Sequence, residues 1–389
     1  MRVVHLGKYY PPASGGIETY TRTMARAQAA LGADVQVVVV NHADAAGNDV
    51  TFAATARTPD AVDADGTVRV HRAGRIANVA KLDVPPGLLR ILRQLQKEKP
   101  DVWHLQTPNV TMLLALALLP GIRPLVVTHH SDMVRQKLLK YAVLPFERLV
   151  YGRAAKILSD SPPYIDGSPS LLRFRAKVES LPLGLDLAPF QLPSAEALAA
   201  EAHAQATYAG PIWLCVGRLI YYKALDVALR ALKELPGTLV VVGTGPMQAA
   251  WQALAADLGV SNRVVWLGRA PEATLIGLYR AATALWFPSN ARSEGYGLVQ
   301  VEAMACGCPV LNANIPASGV PWVSVHEQTG LTVPPNDAPA FAAAARRLLN
   351  EPGLREHLSA EAVRQAASRF DHRAMAARSL EIYAEVCRR

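Results

Sequence analysis

The sequence predicts an α/β protein of two domains, each built on a parallel sheet, and three observations carry that expectation. Short runs rich in Val, Ile and Leu alternate with stretches of helical period, which is how repeated strand-helix units read in one dimension. The chain has 389 residues, more than a single hydrophobic core usually organises. A segment without strand pattern, carrying Pro189 and Pro193, separates two such series. The expected domains are therefore residues 1–189 together with 372–389, and residues 190–371.

The elements follow in order. Val3 to Leu6 reads as a first strand, Ile17 to Leu31 as a helix closed by Gly32, and Val35 to Val40 as a strand buried on both faces. Further strands are expected at 102–105, 125–128, 155–158 and 178–181. The polar, Asp-rich stretch from Asn41 to Val68 reads as a loop or insertion. The second series places strands at 212–216, 238–242, 263–266, 284–287 and 309–311. The last helix, His372 to Cys387, is expected to return to the first domain.

Composition narrows the function. With 51% hydrophobic and 19% charged residues the chain reads as folded throughout. The net charge of +8 is uneven: residues 1–189 hold 23 Lys and Arg against 16 Asp and Glu, and residues 190–389 hold 17 against 16. A basic first half suits an anionic membrane surface or a phosphate-bearing acceptor. Nucleic acid is disfavoured, because no basic run is interleaved with aromatics. Cys215, Cys306, Cys308 and Cys387 have neither zinc-knuckle nor disulfide-framework spacing and read as reduced core thiols. The apolar run Met112 to Leu119 is far short of the roughly 20 residues of a membrane span, and the N-terminus breaks too early for a signal peptide. A cytoplasmic protein, soluble or peripheral to the membrane, is expected.

Four constellations carry candidate chemistry, each at the carboxyl end of a strand. In Tyr9 to Glu18, the adjacent Gly15 and Gly16 let backbone amides approach an anion at a helix start; the competing reading is a tight turn without ligand. In Val216 to Lys223, Arg218 and Lys223 supply positive charge suited to a diphosphate, against a solvated basic loop. In Phe287 to Ala303, Glu294 stands in a loop where it can accept from sugar hydroxyls. The amides of Gly295, Tyr296, Gly297, Leu298 and Val299 face a phosphate at the helix start, and Glu302 lies on a largely buried helix, where an unpaired carboxylate is costly. In Thr128 to Asp132, adjacent histidines point apart, so metal ligation is not expected; His130 is the candidate for a cleft, or else caps the next helix. His104 reads as structural.

Taken together, these residues resemble family 4 of the retaining GT-B glycosyltransferases, marked by a Glu, seven residues and a second Glu. The resemblance spans most of the chain: Gly15-Gly16-Ile17-Glu18, Pro100 to His104, His130, Pro182 to Asp186, Gly217-Arg218-Leu219 with Lys223, Val242 to Pro246, and Glu294 through Glu302 into Val310. It implies two Rossmann-like domains facing each other across a cleft. It implies that Arg218 and Lys223 bind the donor diphosphate, that Glu302 holds the nucleotide ribose, and that Glu294 contacts the transferred sugar. Gly16 is implied to approach the phosphates, and His130 to lie beside the anomeric carbon. One departure is Ala224, where the family usually has glycine after the lysine.

The expected reaction is transfer of a hexose from a nucleotide-diphosphate sugar, GDP-mannose first and a UDP-sugar second, to a lipid-linked glycan or polysaccharide acceptor, without a metal cofactor. Front-face substitution with retention is expected, because no second carboxylate stands at a motif position of the first domain. Two amphipathic cationic stretches, Pro86 to Lys99 and Met133 to Arg153, are candidates for a membrane interface, against ordinary helices with solvated charged faces. A nucleotide-sugar epimerase of similar architecture and a non-catalytic nucleotide-sugar-binding subunit are the competing functions.

Overall fold

The computed structural model describes residues 1–13, 15–42, 57–79, 82–132 and 137–388. The chain forms two compact units, Met1–Gly184 with His372–Arg389, and Leu185–Asp371. Leu185 bridges to Asp371, so the chain enters and leaves the second unit at adjacent points.

The first unit contains β1 (Arg2–Leu6), α1 (Gly16–Ala30), β2 (Asp34–Val40), β3 (Ala61–Asp65), β4 (Val68–Ala73) and a small hairpin of β5 (Ala77–Val79) and β6 (Leu82–Val84). Then come α2 (Leu88–Lys97), β7 (Val102–Thr107), α3 (Val110–Leu118), β8 (Leu125–His129), α4 (Lys137–Arg153), β9 (Lys156–Ser159) and β10 (Val178–Ser180). Its sheet runs β10-β9-β8-β7-β1-β2-β4-β3, parallel except for the edge strand β3, which pairs antiparallel with β4. The order reverses between β1 and β7, and the strand ends beside that point carry Tyr9 to Gly16, Gln106 and His130. Crevices for ligands open at such switch points.

The second unit holds β11 (Ile212–Val216), β12 (Thr238–Val242), β13 (Val264–Gly268), β14 (Ala284–Phe287), β15 (Val310–Ala313) and β16 (Gly330–Val333), in the order β13-β12-β11-β14-β15-β16, all parallel. Its switch point lies between β11 and β14. The core centres on Trp213 stacked on Trp286, with Phe341 edge-on to Trp286.

Three expectations change. The stretch read as a loop contains β3 and the start of β4; residues 43–56 lie outside the described residues. The segment Ala61–Asp65 alternates apolar with acidic residues along a half-exposed edge, so its Asp content imitates a loop. β16 went unread because Gly330–Val333 is short and opens on glycine. Of the four cysteines, Cys215 and Cys308 are buried and Cys306 partly so, but Cys387 is exposed at the end of the last helix.

The last helix, His372–Cys387, packs on α1 through buried polar groups as well as apolar ones. Gln28 donates to Ser379 Oγ at 2.7 Å and Tyr383 Oη at 3.1 Å. The Tyr383 hydroxyl lies 2.5 Å from His104 Nδ1, and His104 Nε2 lies 2.7 Å from Thr128 Oγ1. His5 Nε2 lies 2.7 Å from Gln28 Oε1. Every member is buried, so every lost partner leaves a polar group without water. His104 is thus a structural residue.

Burial lowers His5 to about 4, with its bond to Gln28 opposing, and holds His104 well below the ordinary histidine range, with His5 and His130 adding to the effect.

Two outcomes are expected. Tyr383→Phe leaves His104 Nδ1 and a Gln28 N-H short of a partner and destabilises the chain by about 1–3 kcal/mol in urea unfolding. The second concerns pH: a base whose folded value is depressed binds its proton more tightly in the unfolded chain. The stability held by His5 and His104 is therefore complete above about 6.5 and is lost as pH falls toward about 4. His5→Asn, which cannot titrate, should flatten the fall of the thermal midpoint across that window; an unchanged slope would contradict the assignment.

Candidate active site

In the second unit the site is built at the switch point between β11 and β14. β11 ends at Val216, and Gly217-Arg218-Leu219 turns away from it. Gly243, following β12, holds φ 133°, and a Cβ there would collide with the Gly217 carbonyl. Only glycine permits the resulting close approach of the two turns, which is locked by Gly217 N-H to Val242 O and Leu219 N-H to Thr244 O, both 2.9 Å.

β14 delivers Phe287, Pro288 and Ser289 on the other side. One pocket is lined by Gly217, Arg218, Lys223, Phe287, Pro288 and Ser289, with Trp251 and Trp286 among the apolar residues behind them. Lys223 Nζ lies 2.6 Å from Glu294 Oε2 and 4.6 Å from the centre of the Phe287 ring. Ser289 Oγ donates to the same carboxylate oxygen at 3.2 Å. The two charged side chains are only 17% and 11% exposed, so the pair sits where screening by water is weak. Arg218 is exposed and hydrogen-bonded to the Tyr222 phenol; burial and the nearby Glu294 push that phenol up to about 12, with Arg218 opposing.

The loop carrying Glu294 is pinned by the Ser318 hydroxyl on the Glu294 carbonyl at 2.5 Å and by Gly319 N-H on Gly295 O at 2.8 Å. Gly297 begins the helix Leu298–Ala305 with φ 78°; a Cβ would meet the Phe287 ring at 2.7 Å, and no side chain caps the helix start. The first amides of that helix, including Leu298 and Val299, thus stand beside the end of β14. Tyr296 does not contribute its side chain: its ring is buried against Trp322 and Phe370.

Glu302 lies on the same helix and takes a different partner. Its Oε2 accepts from Tyr279 Oη at 2.7 Å. Burial raises its carboxyl above the usual range, with the Tyr279 bond opposing and Glu272 adding.

Ala224 occupies the left-handed region at φ 47°, fully buried, immediately before the helix Leu225–Leu232. The departure from glycine therefore leaves the turn in the conformation glycine would favour, at a local strain of about 1–2 kcal/mol.

In the first unit, Gly15 and Gly16 open α1; the Glu18 carboxylate folds back over Gly15, whereas the space beside Gly16 is open. Ser14 lies outside the described residues. His130 follows β8 and is 7% exposed. Its Nε2 lies 2.9 Å from Gln106 Oε1, its Nδ1 lies 3.2 Å from Asp160 Oδ1, and Tyr20 packs edge-on with ring centres 4.8 Å apart. The reading of His130 as a helix cap is thereby displaced: both ring nitrogens are engaged by the ends of β7 and β9. Its neighbour His129 points the other way, to the Tyr151 hydroxyl at 2.7 Å and to Asp132.

Sequence reasoning missed Gln106, Asp160, Tyr222, Tyr279 and Ser289. Tyr222 and Ser289 lie inside two of the candidate constellations but carry no charge to single them out, and for Gln106, Asp160 and Ser289 the available signal was position, at or just beyond the carboxyl ends of strands. Among the described residues, no group of three or more His, Cys, Asp or Glu is placed to hold a metal, and no helix is long and apolar enough to cross a membrane.

Known proteins of similar sequence share this organisation. Residues 15–184 match the glycosyl transferase 4-like domain and residues 204–365 match glycosyl transferases group 1. The chain is 31% identical to the D-rhamnosyltransferase WbpZ of Pseudomonas aeruginosa, over 93% of this chain and 90% of that one. It is 29% identical to the O-antigen chain mannosyltransferase C of Escherichia coli, over 90% and 89% of the two chains. Among solved structures, Anabaena HepE in complex with UDP-glucose superposes with a TM-score of 0.77 at 19% identity, covering 99% of this chain and 100% of that one. The two strand-helix units, the glycine-braced basic turn of the second and the match along nearly the whole length of WbpZ place this chain in family 4 of the GT-B glycosyltransferases, as a glycosyltransferase.

Proposed function

We propose that the chain transfers a hexose, with retention, from a nucleotide-diphosphate sugar to a lipid-linked or polysaccharide acceptor in cell-surface glycan assembly, at the inner face of the cell membrane. GDP-mannose is the first donor to test and a UDP-sugar the second. The observation that carries the reading is the convergence of Arg218, Lys223 and Glu294 at the switch point of the second unit. The mannosyl- and rhamnosyltransferase relatives favour a hexose of this kind and a surface-glycan acceptor.

In this reading Arg218 and Lys223 take the charge that develops on the departing diphosphate, together with the amides at the start of the helix Leu298–Ala305. An incoming phosphate competes with Glu294 for the Lys223 ammonium, freeing the carboxylate for sugar hydroxyls. Glu302 receives the ribose beside the Tyr279 hydroxyl. Within the first unit, the helix start at Gly15 and Gly16, with open space beside Gly16, suits an anion. His130 is the first unit's candidate for contact with the transferred sugar, and Asp160 and Gln106 hold its ring in place. With no second carboxylate at a motif position of the first unit, the acceptor proton goes to the leaving phosphate rather than to a carboxylate base.

The decisive experiment incubates the purified chain with radiolabelled GDP-mannose or UDP-sugars and a membrane extract. Label entering the glycan fraction supports the reading. An isomerised free sugar nucleotide formed without acceptor would instead indicate an epimerase.

Two variants test the site. Lys223→Ala should lower kcat/KM at least about 100-fold and destabilise the fold by about 3–5 kcal/mol, since it leaves Glu294 buried without its cation. Adding Glu294→Gln should return most of the stability but none of the transfer; recovery of both, or of neither, would contradict the roles given to the pair. Glu302→Gln should raise the donor KM about tenfold or more, the loss of a charged hydrogen bond. It should not lower the thermal midpoint at neutral pH, because a carboxyl whose folded pKa is raised loses stability as pH climbs above its unfolded value. A lowered midpoint with unchanged KM would remove Glu302 from the site.

A further inference from the structure

Two amphipathic cationic stretches stand out in the first half of the sequence, and the fold uses them differently. α2 spends its apolar face on the core: Leu88, Leu92 and Leu95 are buried, and Leu89 and Ile91 pack against the same cluster. Only Arg90, Arg93, Gln94 and Lys97 are left exposed to solvent. α4 also fills the core, with Val143, Val150 and Tyr151, but its apolar content does not end there. Tyr141 is 72% exposed, Leu149 48% and Phe146 38%. Met133 to Gln136, the start of the second stretch, lie outside the described residues.

Two elements beside α4 also expose leucines. Leu118, the last residue of α3, is 67% exposed, and Leu172, in the short helix Pro169–Leu172, is 50% exposed. Both elements are tied to α4. Arg153 donates to the Leu116 and Leu119 carbonyls at 2.7 and 2.9 Å, and Ser170 Oγ donates to Glu147 Oε1 at 2.8 Å.

The charge around these side chains is predominantly of one sign. Residues 118–177 contain ten Lys and Arg against four Asp and Glu. Three of the four carboxylates turn inward: Asp132 to His129, Glu147 to Ser170 and Asp160 to His130. The fourth, Asp166, stands 3.6 Å from Arg175. Asp166 is itself exposed, and the other exposed charges are cationic, including Arg123, Arg148 and Arg173.

We propose that this face docks on an anionic lipid bilayer, with Phe146, Leu149 and Tyr141 entering the headgroup boundary and the surrounding arginines resting on lipid phosphates. A protein interface of similar size depletes charge from its centre and mixes signs at its rim. Exposed aromatic and aliphatic side chains among charges predominantly of one sign match an anionic leaflet instead. The proposal rests on the reading of the acceptor as lipid-linked, since such an acceptor requires the enzyme to work at a membrane.

The test is co-sedimentation of the full chain with phosphatidylcholine vesicles, with and without phosphatidylglycerol. The chain should pellet only with the anionic vesicles, and less as salt rises. Phe146→Ser with Leu149→Ser should lower the bound fraction at least about fivefold, as should Arg148→Glu, while Arg90→Gln with Arg93→Gln on α2 should change it less than twofold. Transfer to a water-soluble acceptor should be the same in all of these variants, which separates loss of docking from loss of the catalytic function. Three outcomes would overturn the proposal: no pelleting of the parent chain, pelleting undiminished by the α4 substitutions, or a dimer in light scattering that those substitutions convert to monomer, which would make the face a contact between copies.

Discussion

An ammonium and a carboxylate 2.6 Å apart, both largely removed from water, are not held there by mutual attraction alone. Desolvating two charges opposes the pair by an amount comparable with the attraction it gains, so the surroundings must supply the balance. Here the Ser289 hydroxyl bonds the same carboxylate oxygen, and the Phe287 ring faces the Lys223 ammonium. Both residues arrive from the end of β14, whereas Lys223 arrives from the loop after β11. The pair therefore exists only because a doubly wound sheet sends those two loops off at a shared edge of its switch point. A buried ion pair at a strand end needs such a framework, and the glycine contact between the turns after β11 and β12 braces it.

Ala224 shows the same framework under tension. Its left-handed backbone immediately precedes a helix that fills the core with Leu225, Val227, Ala228 and Leu229. The strain persists because the methyl group is fully buried in that core and the helix position is fixed by packing on both sides. The functional consequence is positional: Lys223 lies one residue before the turn, so the conformation at Ala224 sets the direction from which its ammonium approaches Glu294.

Much of this architecture is legible in the sequence for a simple reason. A central parallel strand is buried on both faces, so it reads as an apolar run, and Val37 to Val40 or Leu239 to Val242 cannot easily be read otherwise. The strand Ala61–Asp65 escapes because an edge strand with water on one side can be half acidic. The charged site residues are legible as candidates because Arg218, Lys223 and Glu294 sit beside glycines at strand ends. Their partners are not. Tyr279 meets Glu302 across 23 residues, and Asp160 meets His130 across 30. Nothing in a one-dimensional spacing singles out a tyrosine or an aspartate at such separations, since adjacency of strands and helices decides the pairing.

The histidines of the first unit make the same point from the opposite direction. His5 and His104 lie on neighbouring strands of one sheet and His130 just beyond a third, and the sequence separates His104 from His130 only by place along the strand. Burial separates them further. His5 and His104 are wholly enclosed and bonded to neutral partners, Gln28, Thr128 and Tyr383, which favours the uncharged ring. His130, one position beyond the end of β8, keeps some exposure and has a carboxylate at Nδ1. A ring that must meet a ligand belongs at the end of a strand, where the sheet stops and solvent begins; a ring in mid-strand can only bind its own fold together. The same imidazole chemistry is therefore structural in the middle of β1 and β7, whereas beyond β8 the proposed role of His130 has the edge of the sheet to work from, and the difference is a matter of two or three residues along a strand.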